Sequence, residues 1–245
     1  MGSWHANDGA GQHDAGGFTV ERGKALTEIA ALTEVAERKR ERIARRQVDK
    51  FAERRDQLAD AALQTLAELG YANTSLRDIA QNSDFSHGVL HYYFADKFEL
   101  ITYCVRRYKA ECVTRYDAIV ATATSADGLR AGFGAAMAGT LRGDAALHRL
   151  WYDLRNQSLF EGKFRADAAE IDHSLERMIW RIVSRYAELS ERALAITPAL
   201  AYALCDGVFQ HALLRHLSGD ASAAADLDGH IQEVLPTLLA PRETA

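Results

Sequence analysis

From Leu58 to Leu69, apolar and small positions recur with a single period. Leu58, Ala61, Ala62, Thr65, Leu66 and Leu69 fall at i, i+3, i+4, i+7, i+8 and i+11. That stripe predicts an amphipathic helix with one buried face. Gly70 follows it, the residue type expected just past a helix end. Upstream, neither Gly nor Pro occurs from Lys24 to Leu69, so one or two helices can run through that stretch. Downstream, Phe98 to about Ala123 repeats the helical pattern through Leu100, Ile101, Val105, Tyr108, Cys112, Tyr116 and Ile119, until Asp127-Gly128 breaks it. Further helices are predicted over 128–141, 144–160, 165–190, 198–218 and 227–240, separated by Gly143, Gly162, the Thr197-Pro198 start and Gly219. Prolines occur only at 198, 236 and 241, and no stretch alternates apolar and polar positions around a hairpin turn. The expected fold class is all-α.

Between the stripe and the next long helix lies "TSLRDIAQNSDFSHGVLHYYFADK", residues 74–97. Thr74 or Ser75 is a good N-cap, and Leu76, Ile79, Ala80 and Ser83 then share a face over barely two turns. Asn82-Ser83-Asp84 is turn chemistry, because Asn and Asp side chains bond their own backbone. Ser86 caps a second short helix in which Leu90, Tyr93 or Phe94 turns inward, leaving His87, Gly88, Val89, His91 and Tyr92 outside. Two such short helices are unstable alone in water and need the stripe at 58–69 to pack on. Leu58, Leu66, Ile79, Leu90 and Phe94 are the expected small core. Spacing alone fits two arrangements equally well: a plain helical hairpin in a bundle, or a helix-turn-helix that presents one N-terminal turn to the major groove.

Charge and composition narrow the classes. The net charge is −5, yet between Glu37 and Arg55 nine Lys/Arg stand against four acids, a local balance of +5. Such a cluster is a footprint for phosphates or, equally, a solvated helix face. Residues 1–23 hold six glycines and are expected to form a disordered tail. Three cysteines, Cys104, Cys112 and Cys205, lack CxxC spacing, which argues against a disulfide framework or a thiolate metal site and fits a reducing cytoplasm. No apolar run approaches the roughly 18 residues of a membrane span, so a cytoplasmic protein without a membrane partner is expected. No nucleophile-elbow, zinc-helix, P-loop or paired-carboxylate motif occurs. The adjacent Asp172-His173 pair points to different helix faces, and Cys205-Asp206-Gly207 has no base nearby. The chain is therefore not expected to be an enzyme, with no catalytic residue, metal or cofactor.

The 74–97 run resembles the DNA-binding segment of TetR-family transcriptional regulators, whose pattern is approximately T-[ST]-x-R-x-I-A-x-x-[AL]-G-V-S-x-G-x-[LI]-Y-x-[YH]-F-x-x-K-x-x-L. Thr74, Ser75, Arg77, Ile79, Ala80, Ser86, Gly88, Leu90, Tyr93, Phe94, Lys97 and Leu100 match it in register. Leu204-Cys205-Asp206-Gly207-Val208 is similar to a D-G-[LV] turn found late in one branch of the family. Three positions depart from the pattern. Asp84 replaces a turn Gly, Phe85 replaces a packing Val, and His91 replaces a Tyr that touches DNA in the family. Because histidine titrates near neutral pH, the last change predicts an affinity that depends on pH.

The resemblance implies an N-terminal three-helix helix-turn-helix DNA-binding domain followed by a larger helical ligand-binding and dimerisation bundle. The implied divisions are a tail (1–23), a basic helical extension (24–52), the DNA-binding domain (53–100, its helix-turn-helix at 75–94) and an effector-binding and dimerisation domain (101–245). His87, Gly88, Val89 and His91 would face base edges, with Tyr92 and the Ser86 cap beside them, and Arg77 would reach a guanine or a phosphate. Thr74, Ser75, Tyr93 and Lys97 would contact phosphate. The implied function is a repressor that binds a palindromic double-stranded DNA operator as a homodimer, built on helices near 198–218 and 227–240, and leaves it when a small-molecule effector binds. Trp151, Tyr152, Arg155, Asn156, His173, Trp180, Tyr202, Cys205 and Phe209 mix aromatic and polar groups as effector pockets do. An aromatic stripe on a helix is core more often than pocket. The alternative function is a helical protein-interaction module that uses the basic extension to recruit a partner.

Overall fold

The computed structural model describes residues 16–71 and 73–241, with side chains described at Glu34 and from Glu37 onward. Its helices are α1 (Gly16–Leu69), α2 (Leu76–Gln81), α3 (His87–Tyr93), α4 (Lys97–Cys112), α5 (Asp117–Thr122), α6 (Ala126–Phe160), α7 (Arg165–Ser190), α8 (Pro198–Leu217) and α9 (Ala223–Thr237), with a 3-10 turn at Gly162–Phe164. Among the described residues there is no strand, only an isolated bridge between Leu194 and Leu239. The fold is all-α, as the hydrophobic periods predict.

The chain forms two compact units, Met1–Arg54 and Arg55–Ala245. In the first, the described residues belong to α1 and the side chains of residues 37–53 are all exposed. The stretch is held by its own backbone and by local pairs such as Glu34–Arg38 at 2.5 Å. Residues 16–23, expected within a disordered tail, are helical, since α1 begins at Gly16. Once a helix is nucleated, extension is cheap, and an interior Gly costs only about 1 kcal/mol relative to Ala. Residues 1–15 lie outside the described residues.

In the second unit, Leu58, Leu66, Ile79, Leu90 and Phe94 are buried in one continuous core with Leu100, Ile101, Cys104 and Val105 of α4 and with α6 to α9. The expected boundary at residue 100 is therefore not a break between compact units. It falls inside a helix buried along its length. The predicted single helix over 98–123 is divided into α4 and α5. Tyr116 turns into the core with its hydroxyl 3.2 Å from Thr140, and Arg181 of α7 donates to the Val113 carbonyl (2.6 Å) and to Asp117 (2.8 Å). These long-range partners satisfy the groups that the break frees.

The two helices predicted at 128–141 and 144–160 are instead the single helix α6, kinked at Asp144 (φ −125°, ψ 20°). Arg115, in the turn between α4 and α5, holds the Asp144 carboxylate at 2.5 Å. Gly134 of α6 lies against α9 so closely that a Cβ there would stand 2.3 Å from Asp228 Oδ1 and 2.9 Å from its carbonyl oxygen. The Asp206-Gly207-Val208 segment, similar to a family turn, is the interior of α8.

Candidate functional site

The helix-turn-helix is built by local capping. The Ser75 hydroxyl accepts from the Asp78 N–H at 3.2 Å, while the Asp78 carboxylate accepts from the Ser75 N–H (2.8 Å) and hydroxyl (2.6 Å). This reciprocal box starts α2. The Ser75 hydrogen bonds, side chain first and backbone second, hold the Asp78 carboxyl below its usual range. Ser86 starts α3 by accepting from the Val89 N–H at 3.3 Å. Leu90 and Phe94 anchor α3 in the core, and Val89, Tyr93 and Phe85 pack half-buried against it. His87, Gly88, His91 and Tyr92 face outward, Tyr92 being 73% exposed. The rings of His87 and His91, one turn apart, meet edge to face at 4.4 Å. Nothing lies within 4 Å of where a Gly88 Cβ would sit, so the protein's own packing does not require glycine there.

Two side chains expected on phosphate bond within the protein, and the Asp84 backbone differs from that of a turn glycine. Thr74 is buried, and its hydroxyl donates to the Gly70 carbonyl at 2.7 Å, fastening the turn after α1. Lys97 donates to the Tyr71 carbonyl at 2.8 Å and lies 4.3 Å from the centre of the Tyr71 ring. Both are internal fasteners in this structure, because a backbone carbonyl lies within reach of each. Asp84 does not adopt the left-handed backbone that a turn glycine would suggest; among described non-glycine residues only Glu191 has positive φ. Ser75 and Arg77 are exposed as expected.

A second site lies inside the bundle. Side chains of α4, α6, α7 and α8 line a cavity of about 60 Å³, smaller as it stands than the usual small-molecule site. Of the residues expected there, Trp151, Tyr152, Tyr202, Cys205 and Phe209 line it. Arg155 supports the wall by donating to Asp206 at 2.5 Å. Asn156 and His173 are exposed and Trp180 packs half-buried elsewhere on the core, so these three do not line it.

Sequence reasoning missed Lys109, Arg115, His148 and Asp206, all on the lining. Lys109 had a legible signal: Ile101, Val105 and Lys109 are spaced by four, which puts a lysine in an apolar stripe. Its Nζ contacts His148 Nδ1 at 3.2 Å, and burial pushes its pKa down to about 8. Burial, then the charges of Lys109 and Arg115, hold His148 well below its ordinary value, so its ring is neutral. Asp206 accepts from the Tyr152 hydroxyl at 2.8 Å, and Asp172 from that of Tyr202 at 2.6 Å. Burial, reinforced by the Asp206 charge, raises both phenols above their normal range and keeps them protonated. Cys205 is likewise pushed up to about 12 by burial and is not a nucleophile. Cys104, Cys112 and Cys205 are free and buried. Among the described residues no His/Cys/Asp/Glu group is placed to hold a metal ion, and no helix is long and apolar enough to cross a membrane.

A capped helix-turn-helix that shares a helix with an all-helical bundle enclosing a cavity defines a class: DNA-binding regulators with a second helical domain. Comparison with known proteins makes this specific. The model of the family described as bacterial regulatory proteins, tetR family, matches residues 58–104. The HTH-type transcriptional regulator BetI of Burkholderia thailandensis is 30% identical over 204 residues, covering 77% of this chain and 95% of that protein. The chain belongs to the TetR family of transcriptional regulators. Among solved structures, FadR from Bacillus subtilis in complex with stearoyl-CoA shares the fold with a TM-score of 0.61 at 19% identity, over 73% of this chain and 96% of that one. A transcriptional-regulator structure from Saccharomonospora viridis in complex with choline shares it with a TM-score of 0.62 at 16% identity, over 78% and 100%.

Proposed function

We propose that the protein is a ligand-responsive repressor that binds a palindromic operator as a homodimer. The observation that carries this reading is the outer surface of α3. Ser86, His87, Gly88, His91 and Tyr92 point away from the core while Leu90 and Phe94 fix the helix from beneath. Histidines and hydroxyls on the first turns of such a helix can meet base edges and phosphates, and Arg77 supplies the bidentate donor that guanine accepts. The open space at Gly88 suits close approach of a DNA backbone or base edge. Val89 and Tyr93 contribute their exposed edges.

A single unit of this size contacts few base pairs, and a two-fold pair doubles them. The surface of α8 supports that assembly. Its inner face buries Ala201, Tyr202, Cys205, Phe209 and Leu213, yet Leu200, Leu204, Leu214 and Leu217 on its other side are 40–61% exposed. A helix apolar on both sides wants a partner on both. Helix α4 links the two sites, carrying Leu100 and Ile101 in the core beneath the helix-turn-helix and Lys109 and Cys112 on the cavity wall. A ligand that favours one placement of α4 over another would change how α3 is presented.

Selection of bound sites from random duplex DNA tests this reading. An inverted repeat is the expected product, and substitution of His87 or Val89 should alter the selected sequence. Failure to retain any duplex at low salt would overturn it in favour of an interaction module based on the exposed basic part of α1.

A further inference from the structure

The cavity contains a cation without a counter-ion. Lys109 is 3% exposed. Its Nζ meets His148 Nδ1 at 3.2 Å and stands 5.4 Å from the ring centres of both Tyr108 and Trp151. Among the described residues no carboxylate lies within ion-pair distance of it, because the nearby acids are committed elsewhere. Asp206 is held by Arg155 (2.5 Å) and Tyr152 (2.8 Å). Asp172 is held by Tyr202 (2.6 Å) and Arg155 (3.3 Å), and Asp144 by Arg115 (2.5 Å). Charge removed from water without a partner is costly.

The neighbouring groups point the same way. An ammonium only donates, so His148 Nδ1 must accept and the proton of the neutral ring sits on Nε2. That Nε2–H is buried with no protein partner, and so is the indole N–H of Trp151. Around this cluster the lining is apolar, with Met137, Met178, Ile179 and Phe209. The unsatisfied groups of Lys109, His148 and Trp151 are thus donors beside an apolar chamber.

We propose that the ligand of this cavity is an apolar carboxylate whose anionic head pairs with Lys109, and that quaternary ammonium compounds are disfavoured. The proposal rests on the reading of the cavity as the effector site. A quaternary ammonium is normally held on aromatic faces. Here the protein's own ammonium lies beside the Trp151 and Tyr108 rings, and a second cation would be repelled by it. Asp206, the acid on the lining, already has two partners.

The test titrates the full-length protein, without DNA, with octanoate and with octyltrimethylammonium, which share an alkyl chain and differ in the sign of the head. Calorimetry should show octanoate binding at least roughly tenfold more tightly, the scale of one charge-assisted hydrogen bond. Lys109→Met should lose about that factor for octanoate, while Lys109→Arg, which keeps the charge, retains the preference. Equal or tighter binding of the ammonium overturns the proposal, as does binding of neither compound or an unchanged octanoate affinity in a folded Lys109→Met protein. Wild-type selectivity decides the matter even if a variant fails to fold. Duplex selection on the same preparation separates the two readings. DNA binding without octanoate binding removes the ligand class alone, and octanoate binding without duplex binding removes the regulator reading alone.

Discussion

The first turns of α4 and its last turns treat charge in opposite ways. At the start, Glu99 accepts from Arg55 at 2.7 Å, and the Arg55 guanidinium lies 4.5 Å from the centre of the Phe94 ring and 4.6 Å from that of Tyr103. The Tyr103 hydroxyl donates in turn to Asp56 at 2.6 Å. Near the other end, Lys109 is buried deeper than any of these charged groups and has a neutral imidazole as its hydrogen-bond partner. Paired charges with aromatic faces over them make a clamp, which ties residues 55–56 of α1 to the end of α3 and to α4. An unpaired charge makes a site whose energy falls when something of opposite sign arrives. One helix therefore carries a rigid end beneath the helix-turn-helix and an unsatisfied end inside the cavity.

The clamp breaks most severely at its ring. Phe94→Ala removes a fully buried aromatic side chain and should cost about 3–5 kcal/mol in denaturant unfolding. Duplex binding should be lost with it. His87→Ala, on the exposed face of the same helix, should stay within about 0.5 kcal/mol of wild type. Similar losses from both would show that α3 is not divided into an anchoring and a reading face.

At the unsatisfied end the expected change has the opposite sign. Burial lowers the Lys109 pKa to about 8 from its ordinary 10.5, a difference on the order of 3 kcal/mol. Below pH 8 the folded and unfolded chains both hold the proton, so the folded state bears the full cost. Between about 8 and 10.5 the unfolded chain holds more protons, and stability contributed by this group rises with pH. Ligand-free Lys109→Met should be more stable than wild type at pH 7, and the gap should close as pH rises toward 9.5. Melting curves at the two pH values check both statements, and a gap that widens with pH would contradict the assignment.

A smaller effect is expected from Arg55→Ala. It removes a partly exposed ion pair and two ring contacts, together worth about 1–2 kcal/mol. The loss should be much the same with and without octanoate, because the clamp is already satisfied. The smallest expected effect concerns α1. If the exposed basic residues between Arg38 and Arg54 lie on phosphates, deleting residues 1–52 should make the fall of DNA affinity with salt shallower. An unchanged slope would leave that stretch to another partner.

How much was legible beforehand differs between the same two regions. The caps and core of the helix-turn-helix could be read nearly residue by residue. Ser75 with Asp78 and Ser86 with Val89 are caps made within three residues, and Leu58, Leu66, Ile79, Leu90 and Phe94 fall on faces that helical period alone assigns. What that reading did not show is that Thr74 bonds the Gly70 carbonyl and that Lys97 bonds the Tyr71 carbonyl, 26 residues back. The cavity was legible only in part. Five of the aromatic or sulfur residues expected at a pocket line the cavity, but nothing local showed that Lys109 of α4 would meet His148 of α6, 39 residues further along the chain. A lysine in an apolar stripe hints at burial without saying beside what.

The sequence by itself determined an all-helical chain, the capped helix-turn-helix and the small core beneath it, because periodicity and capping act over one turn of helix. Only the tertiary structure decided where α4 ends, that α6 bends at Asp144 instead of stopping, and which donors share the cavity. Those outcomes depend on side chains from α4, α6, α7 and α8 meeting across long sequence distances, where burial sets the cost of each unpaired charge.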